Sequence, residues 1–132
     1  MKVYIASKYI SHKEINQRIF SILQNNQIDA FLPESINIDA VDKSEMLAVS
    51  EICYREIECS DVFLAVCPFG RSVSAEFGYA IALQKKLHIK KTFIALKMDF
   101  DNEAMLFPYL DYVVTSVDDL VKLLIDIESK EE

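Results

Sequence analysis

The chain has 132 residues, 52% of them hydrophobic and 27% charged, with a formal charge of -7 and a calculated isoelectric point near 4.8. That is the material of one compact domain, residues 1–132, and its acidity excludes a general surface for polymeric nucleic acid, which needs many Lys and Arg contacts to phosphate. The first apolar run, Val3 to Ala6, is too short for a targeting signal, and nothing reaches the roughly 18 to 20 apolar residues of a membrane span, so a cytosolic protein without membrane contact is expected.

Lys2 to Ala6 is β-branched and aromatic with little alternation, the pattern of a strand buried on both faces. Ser7 to Ser11 forms a polar connection. Ser11, with Glu14 three positions on, makes a capping box for a helix whose Ile15, Ile19, Ile22 and Leu23 share one face. Gln24 to Gln27 end that helix, Ile28 to Leu32 is a second strand stopped by Pro33, and Pro33 to Val41 reads as a loop. Asp42 to Ser60 is helical again, with Met46, Val49, Ile52, Cys53, Ile57 and Cys59 as its apolar stripe. Ser60 to Val66 is a third, continuously apolar strand, Ser74 to Leu87 the helix after it, and Lys91 to Leu96 a fourth strand. Met98 to Leu110 is an acidic loop or short helix broken by Pro108, and Tyr112 to Thr115 is a fifth strand. Ser116 caps a last helix, Val117 to about Glu128, that turns Leu120, Leu123, Leu124 and Ile127 inward, and the tail from Ser129 to Glu132 is expected to fray.

Strands alternating with helices are parallel βαβ units. The expected architecture is an α/β three-layer sandwich on a five-stranded parallel sheet, order 2-1-3-4-5. That order sets the ends of strands one and three side by side, so that Tyr4 to Tyr9 faces the Gly70 to Glu76 turn across the crevice where such sheets bind ligands. Cys53, Cys59 and Cys67 are odd in number and lack CxxC spacing, and His12 lies far from His88, so no disulfide, metal site or cofactor is expected.

The run Cys67 to Ala80 carries the chemistry. It holds both glycines of the chain, Gly70 and Gly78, and sets a carboxylate, Glu76, in an otherwise apolar segment. With the helix read from Ser74, Glu76 falls near the first turn, where backbone N–H groups and the helix dipole favour an anion, so it is expected to be ionised at neutral pH. A fixed carboxylate in a crevice can attack an electron-poor carbon, such as the anomeric carbon of a sugar, and form a covalent glycosyl intermediate. A Glu that only caps its helix, or pairs with Arg71, accounts for the same position. Gly70-Arg71-Ser72 supplies a small residue for close backbone approach, a planar cation and a hydroxyl ahead of a helix, a set that suits a phosphate or a sugar hydroxyl. A surface ion pair is the plainer reading of Arg71. The GxxxxGK[ST] and GxGxxG spacings are absent, which disfavours an NTPase or a dinucleotide fingerprint. Gly78 is read as permitting close packing of helix on strand, Tyr79 as a core ring with its hydroxyl at the rim, and Asp61 as a structural group away from the crevice. Tyr4 either packs in the core or reaches Glu76 with its hydroxyl.

Val3-Tyr4-Ile5-Ala6-Ser7, Ser60 to Val66 and above all Ala75-Glu76-Phe77-Gly78-Tyr79-Ala80 resemble the nucleoside 2-deoxyribosyltransferase superfamily, which includes deoxynucleoside 5'-monophosphate N-glycosidases. The order and spacing of these segments agree over most of the chain, and Gly70-Arg71-Ser72 before the glutamate is similar to a small-protein branch of that superfamily. The resemblance implies a flavodoxin-like fold, a homodimer or larger assembly with a partner subunit completing each pocket, and cleavage of the bond between a nucleobase and 2-deoxyribose. It implies Glu76 as the nucleophile on C1', Tyr4 as the group that holds it, and Ser7, Gly70, Arg71 and Ser72 as the substrate-binding set. Two departures bear on the base. Cys53 stands eight positions before Asp61, where members carry an aspartate that contacts and helps protonate the base, and Pro68 to Ser74 lacks the second aspartate of the transferases. A thiol is a poor leaving-group acid. Either Glu51, Glu58 or a residue of another subunit serves, or the standard reaction is not performed.

The expected function is cleavage of the N-glycosidic bond of a (deoxy)nucleoside or its 5'-monophosphate through Glu76, by hydrolysis or base transfer. Arg71 and Ser72 favour a phosphorylated substrate and hydrolysis. The alternatives are cleavage of the nicotinamide bond of NAD, a nucleotide-binding module without turnover, and a domain that shares only the fold. The helix of Asp42 to Ser60 and the apolar residues around Phe100 to Leu110 are the candidate surfaces for assembly.

Overall fold

The five apolar runs read as strands become strands: β1 (Lys2–Ala6), β2 (Asp29–Phe31), β3 (Val62–Val66), β4 (Thr92–Leu96) and β5 (Tyr112–Val114). The computed structural model, which describes residues 1–9, 11–36, 42–68, 70–96 and 106–131, joins them in one parallel sheet in the order β2-β1-β3-β4-β5. Four helices connect them, α1 (Lys13–Asn25), α2 (Lys43–Cys59), α3 (Arg71–Leu87) and α4 (Val117–Glu131), with short 3-10 turns at Pro33–Ser35 and Phe107–Tyr109. This is the expected α/β three-layer sandwich, with the expected strand order.

Successive strand residues point to opposite faces, and the core divides accordingly. Val3 and Ile5 of β1 and Leu64 and Val66 of β3 pack with Ile19 and Leu23 of α1 and with Leu120 and Leu124 of α4. Tyr4, Phe63, Ala65 and Phe93 face the other way, onto Ile57 of α2 and Val73, Phe77 and Ala80 of α3. That second layer is aromatic. The Phe63 ring centroid lies 5.8 Å from Tyr4, 5.3 Å from Phe77 and 6.1 Å from Phe93, and Phe77 stacks on Phe93 at 5.4 Å.

Several local expectations are corrected. Ser11 does not cap α1: the N-cap is His12, without a side-chain cap bond, because the chain turns one residue later than the capping-box pattern implies. On α2 only Val49, Cys53 and Ile57, spaced by four, turn toward the sheet; Met46, Ile52 and Cys59 are exposed, so the apolar stripe is narrower than it read. Helix α3 begins at Arg71, three residues before Ser74, with Gly70 as N-cap. Helix α4 continues to Glu131 instead of fraying from Ser129, with Lys130 paired to Asp126 one turn back at 3.1 Å. Ser116 does cap α4, its hydroxyl accepting from Asp119 N at 3.1 Å, and Asp42 caps α2, accepting from Glu45 N at 2.8 Å. The acidic stretch 97–105 and the segment 37–41 lie outside the described residues.

One buried cation fixes the lower end of α2. Lys91, 3% exposed, donates from Nζ to Ser60 O at 2.5 Å and to Glu58 O at 3.4 Å, placing its charge at the negative end of the helix dipole. At the same end of the sheet, Asp61 accepts from Lys2 N at 2.8 Å, the structural role expected of it. Because Phe63 touches three other rings at full burial, Phe63→Ala is expected to cost about 3–5 kcal/mol of stability, read as a lowered urea midpoint at unchanged slope.

Candidate functional site

Strand β1 pairs with β2 on one side and β3 on the other, while the chain leaves β1 for α1 on one face and β3 for α3 on the opposite face. The connections therefore part above the carboxyl ends of these two strands and leave a crevice of about 660 Å³. Five of the six residues expected at the site line it: Ser7, Gly70, Arg71, Ser72 and Glu76. The sixth, Tyr4, lies in the sheet beneath, fully buried, its ring stacked between Phe31 at 5.6 Å and Phe63 at 5.8 Å.

The two readings of Tyr4 are both realised, since its ring is core and its hydroxyl faces the carboxylate of Glu76 and the thiol of Cys53. The three groups feel one another, yet Tyr4 Oη and Glu76 Oε2 are each buried without a hydrogen bond of ordinary geometry to any protein group. Burial drives the Tyr4 hydroxyl well above its usual range, and the neighbouring Glu76 charge adds to it.

Glu76 does not sit in a first helical turn. With α3 starting at Arg71 the first turn holds no acid, and Glu76 falls in the second turn, beyond the reach of the helix end. Desolvation then decides: burial pushes the carboxyl up to about 7, opposed by the Tyr4 hydroxyl. The expectation that Glu76 is fully ionised at neutral pH is thus corrected; it titrates there. No ion pair joins it to Arg71, so neither plainer reading of Glu76 holds. Cys53, half-buried, has its thiol held above the usual range, first by burial and then by Glu76 and Glu56, so it is neutral at pH 7.

Gly70 adopts φ -99°, open to any residue, and a Cβ there would just meet the Lys8 stem at 3.4 Å. Lys8 was not singled out in the sequence, yet it lines the crevice beside Arg71. Its signal was simple: a basic residue two positions past the carboxyl end of β1. Gly78 gives a further correction, since a Cβ there meets nothing within 4 Å; it looks outward and permits no close packing. Tyr79 is partly buried and its ring meets Tyr54 at 4.7 Å. Past Cys53 and Glu76 the crevice continues into a groove of about 400 Å³ between α2 and α3, walled by Met46, Val49, Tyr54 and Ala75. Among the described residues no cluster of His, Cys, Asp and Glu is arranged to hold a metal, and no helix is long and apolar enough to cross a membrane.

The geometry defines an α/β crevice protein with one titrating carboxylate at its switch point. Compared with solved structures, the chain is similar to a 2-deoxyribosyltransferase of Bacillus psychrosaccharolyticus, at TM-score 0.73 and 14% identity over 91% of this chain and 90% of that one. It is also similar to a 2-deoxyribosyltransferase of Leishmania mexicana (TM-score 0.63, 15% identity, 95% and 97% covered). A CMP N-glycosidase of Clostridium botulinum is a third such structure (TM-score 0.59, 14% identity, 94% and 98% covered). No family model and no curated protein matches the sequence. At these identities the likeness is one of fold, and it is the fold that the sequence resemblance implied.

The raised carboxyl has a stability consequence. Between about pH 4.5 and 7 the folded state binds the Glu76 proton that the unfolded state has released, so stability falls as pH rises through that window. Glu76→Gln is therefore expected to be more stable than the wild type at pH 8, by on the order of 2 to 3 kcal/mol, with the difference vanishing by pH 4. Thermal melts of both proteins at the two pH values check it.

Proposed function

We propose that this protein is an enzyme that cleaves the N-glycosidic bond of a (deoxy)nucleoside or its 5'-monophosphate, with Glu76 as nucleophile. The observation that carries the reading is the buried Glu76 carboxylate facing Tyr4 Oη, on the wall of a crevice whose fold is shared with two deoxyribosyltransferases and an N-glycosidase. In the ionised form Glu76 attacks C1', the bond to the base nitrogen breaks with its electron pair leaving on the base, which takes up a proton from solvent, and a glycosyl ester forms on the carboxylate. Tyr4 holds the carboxylate: its hydroxyl faces Glu76 and, turned to donate to it, favours the charged, nucleophilic form. Ser7, Gly70, Arg71 and Ser72 bind the substrate. Lys8 and Arg71, both cationic beside the amino end of α3, favour a 5'-phosphate over a bare hydroxyl. The base then lies toward the groove of Met46, Val49 and Tyr54, against a neutral Cys53.

Water as acceptor makes the protein a hydrolase, and a second free base makes it a transferase; the cationic wall favours the hydrolase. For assembly, the surface we assign to a second copy is α2, where Met46 and Leu47 are 54% and 56% exposed beside the groove.

Chromatography of free base released from deoxynucleosides, their 5'-monophosphates, ribonucleotides and NAD tests the reading. Release from the monophosphates is expected, with loss of about a thousandfold or more in Glu76→Ala. Equal activity in Glu76→Ala removes the nucleophile from this account, and tight nucleotide binding with no release from any substrate makes the protein a binding module. Tyr4→Phe removes the group that holds the Glu76 carboxyl down, so its turnover should fall about tenfold to a hundredfold and the acid limb of its pH profile should move to higher pH.

A further inference from the structure

Once Glu76 is esterified, the reaction still has to remove the sugar from it, and water attacking C1' must lose a proton. In two-carboxylate glycosidases the second carboxylate takes that proton. Here Glu76 is the one carboxylate among the described residues that line the crevice, and the neighbouring Cys53 is a neutral thiol. A different pair stands after β1. Ser7 lines the crevice, and its Oγ lies 3.1 Å from Nδ1 of His12, which is 8% exposed and plays no part in the first half of the reaction.

The turn that carries this pair is held in place. Asn16, 1% exposed, donates from Nδ2 to Lys8 O at 3.1 Å and to Glu34 Oε1 at 2.6 Å, tying the segment after β1 to the turn after β2. Gln17 donates to the other oxygen of Glu34 at 3.2 Å. Burial, and then the positive charge of Lys8, hold the imidazole below its ordinary range, so at neutral pH it is uncharged and able to accept.

Resting on the glycosidase reading above, we propose that Ser7 and His12 form the proton relay that resolves the Glu76 ester, with Ser7 touching the attacking water and His12 acting through it. Water attacks C1' and the new O–C1' bond forms as the C1'–Oε bond breaks, its electron pair returning to the Glu76 carboxylate. The water proton passes to Ser7 Oγ while the serine proton passes to His12 Nδ1, in the tautomer that carries its hydrogen on Nε2. The imidazolium then returns its proton to solvent.

Rapid-quench base release from deoxycytidine 5'-monophosphate and the other monophosphates of the panel, with intact-protein mass spectrometry, tests the relay in His12→Asn and Ser7→Ala. At saturating substrate the expected result is a full burst of one base per site, which Ser7→Ala, having also lost a substrate contact, reaches only at higher substrate concentration, with a steady-state rate lowered about a hundredfold and a sugar-phosphate adduct on the protein that the wild type does not accumulate. Glu76→Ala shows no burst at all. Unchanged turnover in both variants overturns the relay, and so does a burst that slows in step with turnover at saturating substrate, since the pair then acts on the first step. Should His12→Asn not fold, Ser7→Ala decides, because it removes one exposed-side hydroxyl and leaves the packing. If the wild type itself releases no base from any substrate, it is the glycosidase reading that fails, an outcome distinct from either of these.

Discussion

The burial of one carboxylate over an aromatic layer is the constraint on which the site depends. Tyr4, Phe63, Phe77 and Phe93 make the face of the sheet under α3 dry, and Glu76, next to Phe77 in sequence, is drawn into that environment by the helix that buries Phe77. A carboxyl on the exposed face of α3 would be an ordinary acid. Here desolvation brings it to about 7, opposed by the Tyr4 hydroxyl that faces it. The same rings that hold the sheet to its helices therefore set the ionisation of the group proposed to do the chemistry.

Most of the fold was legible because its signals are local. Continuous apolar runs gave the strands, and the alternation of strand and helix gave a parallel sheet whose order places β1 beside β3. Five of the six expected site residues share one crevice because they flank the carboxyl ends of those two strands, which any such order brings together. What was misread depends on tertiary contact. Ser74 looked like a helix start, being a serine before an apolar run, but Gly70 takes that place and the Ser74 hydroxyl turns back to Gly70 O at 3.0 Å. That shift of three residues changed the electrostatic argument about Glu76. The apolar stripe of α2 overstated its burial, since periodicity shows which residues share a face and not how far that face is covered. His12 was invisible as a site residue because its partner Ser7 belongs to the strand end, and only the turn between them brings the two within 3.1 Å.

The crevice is polar on one side and apolar on the other. Ser7 and Lys8, after β1, and Arg71, at the amino end of α3, bring the hydroxyl and the cations, and Val49, Cys53 and Met46 lie along α2. Glu76 stands where the two sides meet, lining both the crevice and the groove beyond it. The proposed nucleotide matches that division, its phosphate taking Lys8 and Arg71 and its base the α2 side.

The anchoring of α2 by Lys91 gives the apolar wall a mechanical character. Lys91 holds the carbonyls at the carboxyl end of the helix, and Ile57, two residues from that end, is its one fully buried side chain among the described residues. The amino half, from Lys43 to Ala48, is exposed throughout. The helix is therefore a lever clamped at one end, and Cys53 stands midway along it. Thermal opening has least to break at the free end, so amide protection is expected to rise along α2 from its amino half to the clamp, while the segment after β1, tied at Lys8 by Asn16, is held.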